Sequence, residues 1–331
     1  MVMQTFESLT LAKSKALNKA MDPSFGDANR KRLWSPLDEI LIYCLYNGKR
    51  CEDSDFIWYY MYEYGNCYQF NTGKFSNGSI APLKKVFTAG NQNGLHLELY
   101  AGEAETDYSL QYDSGIIIFV HNQTEKPNPS EGIKIKPSFM SNIVLSNRFE
   151  VKQEYPYSDC YQLDQKQFNR ALYNRIIETK VEYTQKQCFD LCLQQMIIEK
   201  CGCYYLKYLK LSNARPCLND SELDCLNEKY FSFINSDMNQ QCSEYCPLEC
   251  GCQVYSSTIS TSNFPTKKYA DLLLSSEVIY VQYLGTNEIL TDLIAFDMYF
   301  NELEYTLSKE SPQASIFDVV ANIGGIFYLK L

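Results

Sequence analysis

Between Asn66 and Pro156 short apolar runs are punctuated by Gly, Asn and Pro, a β-like pattern. Leu95-His-Leu-Glu-Leu-Tyr100 alternates apolar and polar residues, as a half-buried strand does. Gly115-Ile-Ile-Ile-Phe-Val-His121 is a continuous apolar run between turn signals, which predicts a strand buried on both faces. From Gln165 the spacing becomes helical, with Phe168, Leu172 and Ile176 at steps of four. A second helix is predicted from about Thr184 to Lys200. Thr184 and Gln187 fit a capping box at its start, and Gly202 suits a left-handed stop. Cys188 and Cys192 lie one turn apart on it, so both thiols face one neighbouring segment. After Cys252 alternation returns. Glu277–Tyr283 and Ile294–Tyr305 are its clearest strands, and Ile294, Phe296, Met298 and Phe300 share one face of the second. Upstream, residues 1–35 read as short helix and loop. Ser35 is the expected cap of a helix over 37–43 that opens on Pro36. Asn47-Gly48 marks a tight turn between Cys44 and Cys51, a small closed loop.

Composition narrows the function. Lys and Arg total 30 against 40 Asp and Glu, so no global positive field draws nucleic acid. The two histidines, His96 and His121, exclude a His-rich metal centre. No apolar run approaches the ~20 residues that cross a bilayer, and residues 1–20 do not read as a signal peptide. Ten of the 14 cysteines fall between Cys188 and Cys252, the signature of a disulfide framework in an oxidising compartment. Sequons at Asn77, Asn122 and Asn219 agree with a secreted or cell-surface chain. A zinc site is the rival reading of Cys201-x-Cys203 and Cys250-x-Cys252. It lacks Cys-x2-Cys spacing and a nearby histidine. A surface location without an export signal is explained if the chain is part of a longer polypeptide. No nucleophile elbow, Walker loop, dinucleotide fingerprint or zinc-protease motif occurs, so no enzyme and no cofactor is expected.

Six ordered blocks resemble the degenerin, epithelial sodium channel and acid-sensing channel family. Asn66-Cys-Tyr-Gln-Phe-Asn71 is similar to its Gly-x-Cys-Tyr-x-Phe-Asn signature. Gly115–His121 with Glu125 and Pro127 resembles a family strand and its loop, and Tyr155-Pro-Tyr-Ser-Asp-Cys160 its Pro-aromatic-x-x-Cys. Tyr183 through Cys203 resembles the thumb helix with its Cys-x-Cys end. Cys242-x3-Cys246-Pro-x2-Cys250, with Tyr255, Ser260 and Phe264-Pro265, resembles the next block. Phe300-x2-Leu303-x-Tyr305 and Ile323-Gly-Gly325 resemble the approach to the pore. Trp34-Ser-Pro36 to Cys44 is closest to peptide-gated invertebrate members.

The resemblance implies an α+β, disulfide-rich channel ectodomain with palm and β-ball sheets, finger, knuckle and helical thumb, without either membrane helix. Residues 1–52 would belong to the finger region and 53–156 to β-ball and palm strands. The thumb would span 157–265, with the knuckle near its end. Palm strands and wrist would follow over 266–331, up to the second membrane helix. It implies the bridges Cys44–Cys51, Cys160–Cys250, Cys188–Cys246, Cys192–Cys242, Cys201–Cys225 and Cys203–Cys217. Cys67 and Cys252 are left over. The implied activity is that of an extracellular part of an amiloride-sensitive-type sodium channel subunit at the plasma membrane. Two further subunits would complete a homo- or heterotrimer, sodium would be the permeant ion, and the signal passed to the pore would be a peptide or proton ligand or a mechanical force. The alternative is a secreted cysteine-rich binding protein without a pore. By the same resemblance the pore and filter are expected outside this chain, which alone is not expected to conduct. Tyr157 matches the aromatic that touches the first membrane helix, and Gly324 and Gly325 lead toward the pore. Acid-sensing members place carboxylates two and six residues after the cysteine matching Cys225. Here Asn227 and Phe231 stand there, against acid gating of that kind. The resemblance also sets His96 opposite Asp297, and such a pair is expected to titrate near neutrality, unless His96 is a solvated histidine.

Overall fold

The computed structural model describes residues 15–18, 20–33, 35–102, 114–123, 127, 131–153, 156–158, 160, 170–178, 183–234, 238–276, 284–313 and 320–321. The fold is α+β, organised on one mixed sheet. Its strands are β1 (Leu41–Tyr46), β2 (Lys49–Arg50), β5 (Leu95–Tyr100), β8 (Phe139–Val151), β11 (Gly251–Asn263) and β12 (Leu293–Lys309). Their spatial order is β11-β8-β12-β5-β1-β2. Only the β8–β12 pair is parallel. Three further sheets have two strands each: β3 (Phe56–Met61) with β4 (Gly65–Phe70) and β6 (Ile116–Ile118) with β7 (Ile133–Ile135), both antiparallel, and β9 (Cys203–Tyr204) with β10 (Arg215–Pro216), parallel.

Alternation along the strands builds two cores on the main sheet. Leu97, Ile143, Leu145, Ile294 and Phe296 bury one face with Cys44 and Ile135. The other face presents Ile42, Tyr100 and Leu293 to Ala270 of helix α7 (Lys267–Leu274) and Ile289 of helix α8 (Thr286–Asp292). Residues 301–309 of β12 leave this core and are exposed. Asn47 (φ 52°) and Gly48 (φ 71°) are both left-handed, as the two-residue turn of the β1–β2 hairpin requires.

Helices fill the stretch between Cys160 and Cys250: α3 (Arg170–Glu178), α4 (Gln185–Cys201), α5 (Asp220–Ile234) and α6 (Met238–Tyr245). Two short helices, α1 (Asp27–Lys31) and α2 (Leu37–Ile40), precede the sheet. Leu172 and Ile176 of α3 pack on Cys188 and Leu191 of α4. Leu193, Met196 and Ile197 of α4 pack on Leu223 and Leu226 of α5, and Leu17 and Tyr62 close that cluster. Both ends of α4 are capped, but only half of the expected capping box forms, because Gln187 Oε1 has no hydrogen-bond partner. Thr184 Oγ1 accepts from Gln187 N at 3.3 Å, and Gly202 is left-handed with φ 72°.

Several expectations are corrected. The helix expected over 37–43 stops at Ile40 and the chain continues as β1, because pairing with β5 and burial of Ile42 and Cys44 override the local start signal. Ser35 does not cap it. Pro36 holds that position without a side-chain bond, and the Ser35 carbonyl accepts from Asn66 and Tyr68. The run at 115–121 gives only the three-residue β6. It is half-buried, and among the described residues it pairs with β7 alone. The strand expected over 277–283, and Phe168, lie outside the described residues. Each of the four linear stretches contributes to the main sheet: β1 from 1–52, β5 and β8 from 53–156, β11 from 157–265, and β12 from 266–331.

Candidate functional site

The helical arm is built around its thiols. α4 presents Cys188 and Cys192 one turn apart, and they bond Cys246 and Cys242, also four apart. At its far end Cys201 bonds Cys225 of α5, and Cys203 bonds Cys217. Cys160–Cys250 closes the arm at its base, and Cys44–Cys51 staples the β1–β2 hairpin. Cα–Cα distances run from 4.9 to 6.1 Å, within ordinary disulfide reach. These are the six pairs that the family resemblance implies. Cys67 and Cys252 form no disulfide. Burial pushes the Cys67 thiol up to about 11, so it is a weak nucleophile. Among the described residues no cluster of His, Cys, Asp and Glu could hold a metal.

The base of the arm joins the lower end of the sheet. Lys152 N donates to Cys250 O at 2.7 Å. Gln153 N donates to a Glu310 carboxylate oxygen at 3.0 Å, and its amide to Glu310 O at 2.7 Å. Ser158 Oγ donates to Gln153 O. Tyr157 projects from this neck, 60% exposed. Gly324 and Gly325 lie outside the described residues, so no contact with Tyr157 is described.

At the upper end His96 and Asp297 meet across the β5–β12 register. His96 Nδ1 lies 2.7 Å from Asp297 Oδ1, and Nε2 lies 3.3 Å from Glu98 Oε1. The pair does not titrate near neutrality. Hydrogen bonds from the imidazolium to Asp297 and then Glu98 outweigh burial, and push His96 up to about 9. At neutral pH the ring is therefore charged. Glu98 and Tyr269 complete the group, since the Tyr269 hydroxyl lies 2.8 Å from both Glu98 oxygens. Sequence reasoning missed both. Glu98 was findable, because residues two apart on a strand share a face. Tyr269 is 171 positions from Glu98 and carries no local signal.

Two of the three sequons are open. Asn77 and Asn219 are exposed, and the oxygen of each accepts from its own serine, Ser79 at 2.6 Å and Ser221 at 3.0 Å. Asn122 is half-buried and its amide donates to Gln253 Oε1 at 3.0 Å. His121 bonds the Asn122 carbonyl at 2.8 Å.

A sheet with a cross-braced helical arm and six disulfides defines a disulfide-rich α+β domain, and among the described residues no helix is long and apolar enough to cross a membrane. The family model for the amiloride-sensitive sodium channel matches residues 3–331, and the chain belongs to that family, one of ion channels rather than enzymes. It is 27% identical over 294 residues to the epithelial sodium channel subunit gamma of Neoceratodus forsteri, covering 87% of this chain and 43% of that protein. The corresponding gamma subunit of Xenopus laevis is 25% identical over 295 residues, covering 87% and 42%. That of Rattus norvegicus is 26% identical over 294 residues, covering 87% and 43%. The chain thus spans less than half the length of these relatives.

Proposed function

We propose that this chain is the extracellular part of one subunit of a trimeric, ligand-gated sodium channel of the amiloride-sensitive type, at the outer face of the plasma membrane. Two further subunits, identical or not, complete the assembly, and sodium is the ion that permeates. The family match over residues 3–331 carries this reading. The arm supports it mechanically: four bridges within it make α4, α5 and α6 move as one piece, and one bridge ties that piece to the neck. A stiff lever passes a displacement on, where a flexible one absorbs it. Tyr157 is the coupling residue, since it is exposed at the neck where a membrane segment would reach it, and Gly324 and Gly325 lie on the path to the pore. The missing carboxylates at Asn227 and Phe231 favour a peptide over a proton as ligand. Asn77 and Asn219 carry glycans, and Asn122 none.

Expression of the full-length subunit in a voltage-clamped cell tests this. The expected result is a sodium current blocked by amiloride. Tyr157→Ala should cut evoked current by roughly tenfold at equal surface amount, the size of an ordinary coupling between sites. Glycosidase digestion should shift the peptides of Asn77 and Asn219 only. A chain released to the medium, with no current, would instead mark a secreted cysteine-rich binding protein.

A further inference from the structure

We propose that His96, Glu98, Asp297 and Tyr269 form a proton-operated tie between β5, β12 and α7, closed at neutral pH and opened as the medium turns alkaline. Two contacts fix the ring: Asp297 at 2.7 Å on Nδ1 and Glu98 at 3.3 Å on Nε2. With both carboxyls ionised, both are hydrogen bonds at once only if both nitrogens carry protons, as in the imidazolium. A neutral ring donates to one carboxylate and turns a lone pair on the other.

Geometry decides which contact is lost. The Asp297 contact is the shorter, 2.7 against 3.3 Å, so a neutral ring keeps its one proton on Asp297 and the Glu98 contact is lost. Glu98 is only 5% exposed and is left with the single Tyr269 proton. The groups facing the ring are few. β12 gives Asp297 and β5 gives Glu98. β1 gives Tyr43, ring edge at 6.0 Å, and α7 reaches the group through Tyr269. The Arg50 guanidinium lies over Tyr43, 5.7 Å from its centroid, and makes no direct contact with either carboxylate. The imidazolium thus offsets one of two carboxylate charges, and its loss leaves both unopposed beside the α7 core.

The electrostatics of the group point the same way. His96 is pushed up to about 9 by its two carboxylate bonds. Tyr269 is raised well above the ordinary phenol value, by burial first and Glu98 second, so it remains a donor throughout. Opening therefore follows His96 alone. Among the described residues Glu98 is the polar link from His96 to α7, so its loss of the imidazolium admits water under that helix. The tie acts within this chain and does not depend on the channel reading.

The test uses the disulfide-bonded chain with His121→Asn, which leaves His96 as the sole imidazole. Proton NMR with labelled histidine follows the ring, and hydrogen exchange, corrected for intrinsic rates, follows 267–274. The expected midpoint is near 9, with α7 protection falling about tenfold through the same midpoint. Glu98→Gln should lower the proton affinity of His96 at least tenfold. Tyr269→Phe should leave the midpoint near 9 while α7 stops following it. A midpoint within one unit of the ordinary 6.5, or α7 protection unchanged while His96 titrates, overturns the proposal. The His121→Asn background alone decides the point if another variant does not fold.

Discussion

Glu222 illustrates how much one side chain carries in the arm. Its oxygens accept from Leu218 N at 3.0 Å, from Asn219 N at 3.4 Å and from the Arg215 guanidinium. Asn219 Oδ1 in turn accepts from Glu222 N at 2.9 Å, a reciprocal cap on the first turn of α5. The Arg215 bond chiefly holds the carboxyl down to about 2, with burial opposing and the two backbone donors adding. A carboxyl held below its ordinary 4.5 stabilises the fold fully above that value, and the contribution fades as pH falls through about 2. Melting followed by circular dichroism should therefore fall between pH 4.5 and 2. Glu222→Gln should melt a few degrees lower at pH 7 and lose that part of the slope. An acid slope unchanged by the substitution would assign it to other groups. His96 acts at the opposite end of the scale: its stabilisation is complete below 6.5 and lost as pH rises through about 9.

The elements differ in how far they obey local rules. α4 obeys them throughout, from Thr184 to a left-handed Gly202 with nothing within 4 Å of an added Cβ. Gly202→Ala should therefore cost only backbone strain, about 1–2 kcal/mol in urea unfolding with the bridges intact, and no clash. A loss much above that would mean that the Cys201–Cys225 and Cys203–Cys217 bridges depend on the turn. This obedience explains why α4 was legible: its cap, stop and thiol spacing all lie within its own residues. β12 was legible for a similar reason, since Ile294, Phe296, Met298 and Phe300 repeat at the strand period. β1 was not. Its residues also fit a helix start, and only pairing with β5, about fifty positions away, settles the conflict. α7 carried a signal that went unused, Thr266 as cap with Oγ1 accepting from Tyr269 N at 3.3 Å. The candidate sites divide in the same way. The bridges and the His96–Asp297 pairing came with the family resemblance, whereas the Glu98–Tyr269 contact joins two folded surfaces and has no sequence period.

Across the whole molecule the arm hangs from one covalent point. Residues 160 and 250 are separated by 90 positions, and their bridge gathers both strands of that excursion at the neck. Around it, among the described residues, the sheet adds hydrogen bonds: Lys152 N to Cys250 O, Gln153 to both the carboxylate and the carbonyl of Glu310, and Glu310 N to Val151 O at 2.9 Å. The internal bridges keep the arm's shape, and Cys160–Cys250 keeps its bearing. Replacing both of its cysteines with serine should therefore separate the two roles. Closing so long a loop contributes about 2–5 kcal/mol by limiting the unfolded chain. The loss should fall on the neck, with faster amide exchange at 151–153, while α4 keeps its protection through Cys188–Cys246 and Cys192–Cys242. In a full-length channel the same change should weaken ligand-evoked current more than surface abundance, because the lever is whole but its pivot is loose. Equal loss of protection in α4 and the neck would show instead that arm and pivot unfold as a single unit. The mechanical reading of the arm would then fail.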